Sequence, residues 1–462
     1  MGKSSSSRSR KRSGSEPASG ETTQSDIHQS EFQQSEIQED RMTRKLGVMG
    51  IVALFTAACV AAAGAPAYGQ ATPTPPAETK PAEAKPEEKK EEKPKTLWEE
   101  NTLFAYIENS VVWNTGRASR GNHNELRFYD FEGGYTFNMA EFSIKKDPSE
   151  KYPFGYGLVL TAGIPGTSND SQKNHALGIF RGDDDQFAFR NTPNFDLQEA
   201  YGSYQIPLGS GLTLKAGKFV TLLGYEVIES PNNLNFSRSY LFAFSIPLTH
   251  VGALLTYQPL SWLSITAGTV VGWDVARDNN STMSYTGQFG FTPLKDFTLN
   301  FNWITGAEQA HTNSHPRTVL DYVITYTGIK NLTLGLNVDY GWESDEAFLR
   351  STGTRRDNDA SWWGWAAYVA YDWTEALRTA LRLEYMKDAE GVRTQLSPPG
   401  TKLDLWEVTV TAQYKIWKGL VGRVEYRHDS ANQKVFAIRA PGYVPTGKSQ
   451  DTISFDLYYL FF

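Results

Sequence analysis

The chain has 462 residues, a formal net charge of −7, and an aromatic content of 13 % against 40 % hydrophobic residues. The negative charge and the absence of a basic patch interleaved with aromatics argue against a nucleic-acid partner. The single cysteine, Cys59, excludes a disulfide scaffold and a cysteine-based zinc site. A high aromatic content together with modest hydropathy favours a membrane β-barrel, which has a thin apolar belt and a polar lumen. A soluble β-sandwich is the alternative.

The N-terminal part divides into three segments by composition. Residues 1–41 are rich in Ser, Gln, Glu and Arg, which predicts a disordered extension. We expect Met42, in place of Met1, to be the true start of translation. Residues 42–70 combine basic residues, an uncharged apolar run and small residues at Ala65 to Ala67, as a signal peptide does. An uncleaved anchor is the rival interpretation. Residues 71–96 form a Pro/Ala/Glu/Lys-rich linker, and 97–462 form the remaining domain.

From Leu97 onward, runs of about ten residues alternate between apolar and polar side chains and are bounded by turn residues. This pattern predicts sixteen strands. The predicted segments are 103–113, 135–146, 155–164, 196–206, 211–221, 249–258, 262–272, 283–292, 296–306, 316–327, 331–342, 361–372, 376–387, 403–415, 419–430 and 451–462. Their connections are alternately short and long, which is typical of porins. We therefore predict an all-β fold, a transmembrane antiparallel up-and-down β-barrel.

The two faces of several strands differ in character. In 420–427, Val424 and Tyr426 oppose Arg423, Glu425 and Arg427. An arginine facing lipid near the bilayer midplane costs about 2–4 kcal/mol, so the charged set is expected to face a water-filled lumen. The final segment, 452–462, alternates in the same way and is expected to pair with the first strand, because an open edge in lipid leaves backbone groups unpaired. Tryptophans near strand ends predict interfacial girdles: Trp98, Trp113, Trp262, Trp273, Trp342, Trp373 and Trp417.

The stretch 197–258 carries several short motifs. They are A-G-K-F at Ala216 to Phe219, G-x-E at Gly224 and Glu226, N-x-N-x-S-R-S-Y at Asn233 to Tyr240, and P-x-x-H-x-G at Pro247 to Gly252. In these motifs the chain resembles the OmpL-like β-barrel porin family of Gram-negative outer membranes. The resemblance extends more weakly from about residue 100 to the C-terminus. It implies an outer-membrane pore for small solutes.

The segment 222–248 lies between the fifth and sixth predicted strands, where a porin loop commonly folds inward. It is predicted to be a constriction loop that carries Glu226, Glu229 and Arg238. Facing it we expect a charged wall, with a transverse field that orders water and polar solutes. The predicted pore-lining residues are Lys215, Arg378, Arg382, Glu384, Arg423, Glu425 and Arg427. The alternative is that Arg382/Glu384 and Arg423/Glu425 simply neutralise one another in a wide lumen.

Passive diffusion of small hydrophilic solutes or ions is the leading function, and no cofactor, metal or catalytic residue is predicted. The acidic run Gly182 to Asp185 lacks the spacing of a calcium loop, and His311 and His315 lie in a loop with a proline. The alternatives are a lipase-like outer-membrane enzyme and an adhesion or structural barrel with a plugged lumen. The expected partners are outer-membrane lipid and small polar solutes or ions, and the sequence leaves a homotrimer open.

Overall fold

The computed structural model describes residues 101–115, 135–163, 195–309, 312–344, 359–394, 396, 400–436 and 446–461. The predicted N-terminal extension, signal peptide and linker lie outside these ranges. The described residues form sixteen strands. They are β1 (Thr102–Asn114), β2 (Tyr135–Lys146), β3 (Phe154–Ala162), β4 (Phe195–Ile206), β5 (Leu212–Val220), β6 (Thr249–Leu260), β7 (Leu263–Val270), β8 (Ser284–Leu294), β9 (Phe297–Ala307), β10 (Pro316–Tyr326), β11 (Leu332–Glu343), β12 (Ala360–Asp372), β13 (Leu377–Asp388), β14 (Leu403–Trp417), β15 (Leu420–Ala431) and β16 (Ser449–Leu460).

The strands close into one antiparallel barrel in which each strand pairs with its neighbours in sequence. The barrel closes between β1 and β16, with Tyr106 opposite Leu460 at one end of the ladder and Asn114 opposite Thr452 at the other. Beyond β16, the Phe461 N–H donates to the Ala105 carbonyl at 2.9 Å. This pairing satisfies the backbone of both terminal strands, as a lipid environment requires. The predicted sixteen-stranded barrel is confirmed.

The connections alternate in length around the barrel. Those after even-numbered strands have at most seven residues, with 147–153 the longest, whereas those after odd-numbered strands have at least eight, with 308–315 the shortest. The barrel therefore has a short-turn end and a long-loop end. Local irregularities, such as the bulge where Glu108 and Asn109 of β1 meet β2, were not visible in the alternation of the sequence.

The inward and outward faces follow the predicted alternation in the clearest strands. In β15, Val424 is 53 % exposed, whereas Arg423 and Glu425 on either side of it are buried. In β16, Ile453 and Phe455 point outward and Ser454 is buried. An apolar outer face and a charged inner face on the same strand are what a barrel wall between lipid and an interior requires.

Most of the predicted girdle tryptophans that the structure describes behave as expected. Those with outward, exposed rings are Trp113, Trp262, Trp373 and Trp417. Trp342 is partly buried, and Trp98 lies outside the described residues. Trp273 differs, because its ring contacts the guanidinium groups of Arg317 and Arg393. Among the helices within the described ranges, none is long and apolar enough to cross a membrane.

Candidate functional site

The segment 222–248, here called the inner loop, folds into the barrel and contacts inward-facing side chains of many strands. It contains a single 3₁₀ turn at Ser230–Asn232 and a π-helical turn at Leu241–Ser245. Gly224 adopts a φ of +95°, a left-handed conformation that suits glycine. Since the loop has little regular structure, its backbone groups need other partners, and the barrel wall supplies many of them.

The loop is also stabilised from within. The Asn233 amide donates to the Val227 and Glu229 carbonyls at 2.8 and 3.0 Å and accepts from the Val227 N–H at 2.9 Å. Arg238 donates to the carbonyls of Val227, Phe236 and Ile228 at 3.2, 2.7 and 2.8 Å. Arg238 was predicted to line a constriction, and its guanidinium is buried within the loop, where it holds the turn together.

The first part of the inner loop rests on β10 and β11. The Gly224 N–H donates to Asp321 Oδ2 at 2.9 Å, and the Tyr225 N–H donates to Asn337 Oδ1 at 3.2 Å. The Tyr225 ring stacks on Tyr368 of β12, with 4.3 Å between the ring centroids. Burial, with a smaller contribution from the neighbouring Glu226, raises the pKa of Tyr225 to about 12, so this phenol stays neutral.

Glu226 pairs with an arginine of the opposite wall. Arg382 Nη1 lies 2.6 Å from Glu226 Oε1, and Arg382 Nη2 lies 2.6 Å from Glu407 Oε2 of β14. Arg382 Nη1 also donates to the Ser237 carbonyl at 2.6 Å. Arg382 is fully buried between two carboxylates and the loop backbone. Glu384, its partner in the alternative interpretation of local neutralisation, is not among its ion-pair partners within the described residues.

Glu384 and Glu425 instead accept hydrogen bonds from the loop backbone. Glu384 Oε2 and Oε1 accept from the Tyr240 and Leu241 N–H groups at 2.7 and 2.8 Å. Glu425 accepts from the Phe236 N–H at 2.7 Å and from the Ser237 N–H at 3.1 Å. A carboxylate that accepts two amide protons forms strong charge-assisted hydrogen bonds. These two wall residues therefore anchor the second half of the inner loop.

The other two buried arginines of the wall extend this network. Arg423 pairs with Asp456 of β16 and Glu108 of β1, each at 2.9 Å, and donates to Ser230 Oγ at 2.7 Å. Arg427 has a different set of partners. It pairs with Asp429 at 2.6 Å and with Glu407 at 3.1 Å, and it donates to the Arg238 carbonyl at 2.6 Å. Each guanidinium thus joins two carboxylates of the wall to the inner loop.

The loop also reaches the other side of the barrel. Gln198 Nε2 of β4 donates to Glu229 Oε1 at 2.8 Å. Burial raises the pKa of Glu229, and the nearby Glu199 raises it further, while Lys145 and the Gln198 hydrogen bond lower it. Contacts from β4 on one side to β10–β15 on the other mean that the inner loop spans the barrel interior.

The remaining predicted wall residues, Lys215 and Arg378, differ from the three buried arginines. Lys215 Nζ lies 4.5 Å from the centre of the Tyr201 ring. Arg378 Nε donates to Asp372 Oδ1 at 2.7 Å, and both side chains of this pair are partly exposed at the short-turn end. Within the described residues, these two cations have no ion pair with the inner loop.

Several residues of the site were missed in the sequence. They are Glu108, Gln198, Asp321, Asn337, Glu407, Asp429 and Asp456. The period-two alternation assigns Glu407 and Asp456 to the inner faces of their strands, so that signal was available. Which carboxylate meets which arginine depends on strand register and on the loop, which the alternation does not give.

The structure describes only some of the residues that were considered as metal ligands in the sequence. The acidic run 182–185 and His311 lie outside the described residues, and His315 lies in a loop with a φ of +66°. Within the described ranges, no group of three or more His, Cys, Asp or Glu side chains is arranged to hold a metal ion.

A family model described as "Putative beta-barrel porin-2, OmpL-like" matches residues 101–461. The chain belongs to this family. The match covers the whole barrel of this OmpL-like porin, including the inner loop, and it confirms the resemblance found in the sequence. No curated protein gives a significant match.

Solved structures resemble the OmpL-like porin in fold. The outer membrane channel DcaP of Acinetobacter baumannii has a TM-score of 0.51 and 9 % identity, covering 78 % of this chain and 97 % of DcaP. OmpF of Salmonella typhi, solved in complex with daunomycin, has a TM-score of 0.50 and 12 % identity, covering 78 % of this chain and 97 % of OmpF. At such identities the likeness extends to the fold alone.

Proposed function

We propose that this barrel is a porin of the bacterial outer membrane, through which small hydrophilic solutes or ions diffuse passively. The observation that carries the proposal is the charged inner wall of a lipid-compatible barrel, joined to a loop that spans the interior. Catalysis has no part in this function. In this proposal the signal peptide, 42–70, directs export through the periplasm, and the linker, 71–96, is a periplasmic spacer.

The inner loop is the constriction in this proposal. Glu226, Glu229 and Arg238 set its shape and charge, while the predicted pore-lining residues of the wall hold or face it. Arg382, Arg423 and Arg427 act through the loop, because they are buried against it. Lys215 and Arg378 are more accessible and contact permeating solutes directly.

The test of diffusion is conductance of the purified protein in a planar bilayer with a salt gradient across it. We expect discrete conductance steps. A folded, heat-modifiable barrel that remains electrically silent would contradict the proposal. N-terminal sequencing of the protein recovered from outer membranes tests the cleavage near residue 70.

The role of the wall charges in selectivity has its own test. Replacing Arg382 and Arg423 with Ser should shift the reversal potential while discrete steps persist. An unchanged reversal potential in channels that still open would exclude these arginines from selectivity.

A plugged barrel with adhesive or structural loops is the second candidate. It is favoured by one observation, the buried contacts that hold the inner loop across the interior. They are the ion pair between Arg382 and Glu226 and the hydrogen bonds that join the loop to Glu384, Arg423, Glu425 and Arg427. Electrical silence together with a stable fold would support this candidate. A homotrimer is compatible with either function, and chemical cross-linking in native outer membranes tests it.

A further inference from the structure

Arg393 lies in the connection 389–402 at the long-loop end, where side chains from several elements converge inside the barrel. Its Cζ is 4.7 Å from the ring centre of Trp273 and 5.1 Å from that of Trp362. Its Nε donates to the Phe244 carbonyl of the inner loop at 2.8 Å. Two indole rings and one hydrogen bond therefore fix the orientation of this guanidinium.

The outer N–H groups of Arg393 are not used by these contacts. Within the ranges that the structure describes, neither Nη atom has a hydrogen-bond or ion-pair partner, and the side chain is only partly buried. This differs from Arg382 of the wall, whose two Nη atoms contact carboxylates and loop oxygens. The faces of the guanidinium contact the two indole rings and its Nε is hydrogen-bonded, but its two Nη groups still point outward as a pair of donors. The geometry of this pair fits two oxygens of an oxyanion.

The charged side chains near Arg393 already have ion-pair or hydrogen-bond partners. Arg317 contacts the same indole, Trp273, at 5.1 Å, but it pairs with Glu343 at 3.0 Å. The nearby carboxylates accept hydrogen bonds from backbone N–H groups. Asp388 accepts the N–H groups of residues 392 to 394. Asp274 accepts those of residues 248 and 249, and Glu308 accepts the N–H of residue 273.

The electrostatic balance at Arg393 leaves its cation incompletely compensated. Burial and the neighbouring Arg317 lower the pKa of Arg393 to about 10, although Glu343, Asp388 and Asp274 act in the opposite direction. An anion placed at the free Nη edge would stabilise the charged form. The same interaction would stabilise the anion.

We propose that Arg393, with the indole rings of Trp273 and Trp362, forms a binding site for a small oxyanion, a carboxylate or a phosphate, at the long-loop end of the barrel. The Nη groups bind the oxyanion, and the two rings and the Phe244 carbonyl hold the guanidinium in position. That such anions then pass through the barrel rests on the proposed diffusion function. The binding itself does not.

The test is isothermal titration calorimetry of the purified full-length protein in detergent, with inorganic phosphate in one series and acetate in another. Saturable binding of either probe is expected in the wild type, and the better probe distinguishes a phosphate from a carboxylate site. Arg393→Gln should weaken that binding by about tenfold or more, because it removes a bidentate, charge-assisted contact. Arg393→Lys should give an intermediate affinity, since an ammonium group lacks the fork.

The control is Lys295→Gln in the short turn 295–296, which makes the same change in net charge at the short-turn end and should leave the affinity unchanged. Heat-modifiable mobility in gel electrophoresis confirms that each variant is folded. The proposal is overturned if neither probe binds the wild type, if Arg393→Gln binds as tightly as the wild type, or if Lys295→Gln loses as much affinity. A barrel that binds the oxyanion but never conducts would refute the diffusion function and leave this site standing.

Discussion

Arg382 Nη1 of strand β13 lies 2.6 Å from Glu226 Oε1 of the inner loop, and both side chains are buried. This ion pair joins residues 156 positions apart in sequence. Glu226 also accepts the Ser239 N–H at 2.7 Å, so it connects the two halves of the loop to each other and to the wall. Loss of either partner should therefore loosen the inner loop, although by different amounts.

Arg382→Met should destabilise the barrel more than Glu226→Gln. Removing the arginine leaves Glu226 and Glu407 buried and takes away a cation that pairs with both. Removing one partner of a buried ion pair typically costs about 3–5 kcal/mol of stability. Without the Glu226 charge, Arg382 still pairs with Glu407, and losing one hydrogen bond to a charged group costs about 1.5–3 kcal/mol. Urea unfolding of the folded protein in detergent measures both free energies of unfolding.

The matched control for this comparison is Arg378→Met, which breaks the partly exposed pair with Asp372. Exposed ion pairs contribute about 0–1 kcal/mol, so this variant should unfold close to the wild type. A cost for Arg378→Met equal to that for Arg382→Met would mean that burial of the pair is not what matters.

The sequence predicts the barrel better than it predicts the contacts within it. Strand number and facing follow from local alternation, which every strand carries in its own residues, as Val424 between Arg423 and Glu425 illustrates. The partners of Arg423 lie on β1 and β16, and only barrel closure and strand register bring them together. Local sequence contains neither, so it could suggest only the neighbouring Glu425 as an alternative partner, and Glu425 accepts hydrogen bonds from the loop backbone.

The contacts of the inner loop were likewise not predictable from local sequence. Its position between β5 and β6 and its charges marked it as a candidate, yet the sequence did not reveal that Arg238 turns back onto the carbonyls of its own loop. A segment with little regular structure must find partners for its backbone wherever the surroundings offer them. Those partners come from strands distant in sequence, such as Glu384 and Glu425.

Asp321 and Asp339 face each other directly across β10 and β11, and replacing them with asparagine should have opposite effects. Asp321 accepts hydrogen bonds from Asn302, Asn337 and the Gly224 N–H at 2.7, 2.6 and 2.9 Å. Asp339 accepts one from Asn337 at 2.9 Å, and its Oδ2 has no hydrogen-bond partner among the described residues. Asp339→Asn should thus stabilise the barrel by removing a like charge, whereas Asp321→Asn should destabilise it by about 1–3 kcal/mol.

Urea midpoints of the two single variants, with the double variant to complete the cycle, measure this difference. Because the residues are cross-strand neighbours, their effects should not be additive. Equal destabilisation by both substitutions would show that the two carboxylates are equivalent, in conflict with their different hydrogen bonds.

Glu384→Gln should loosen the second half of the inner loop and increase the conductance of the channel. The glutamine amide keeps one acceptor oxygen but turns an N–H₂ group toward one of the two loop N–H groups that now bind the carboxylate. Single-channel recording measures the step size and its noise, and limited proteolysis measures access to the loop. Glu375→Gln, in the short turn 373–376, is the control and should behave as the wild type. Unchanged conductance with a protease-accessible loop would exclude this loop as the constriction.

Asp274, in the connection 271–283, should make barrel stability depend on pH in the acid range. Burial raises its pKa to about 6 from an ordinary value of 3.8, against the hydrogen bonds from the Thr249 and Leu248 N–H groups, which lower it. The folded state then binds this proton more tightly than the unfolded state does. The contribution of Asp274 is therefore fully present below about pH 4 and is lost as the pH rises through about 6.

Urea midpoints of the wild type and of Asp274→Asn, measured at steps across this range, isolate the effect, because all other titrating groups are common to both proteins. The stability of the wild type relative to the variant should fall as the pH rises from about 4 to 6 and then stay constant. The variant keeps an acceptor oxygen near the Leu248 and Thr249 amides, so the start of β6 remains anchored and a general loss of structure does not mimic the result. A difference that rises with pH would mean that the hydrogen bonds outweigh burial and that the pKa of Asp274 lies below its ordinary value.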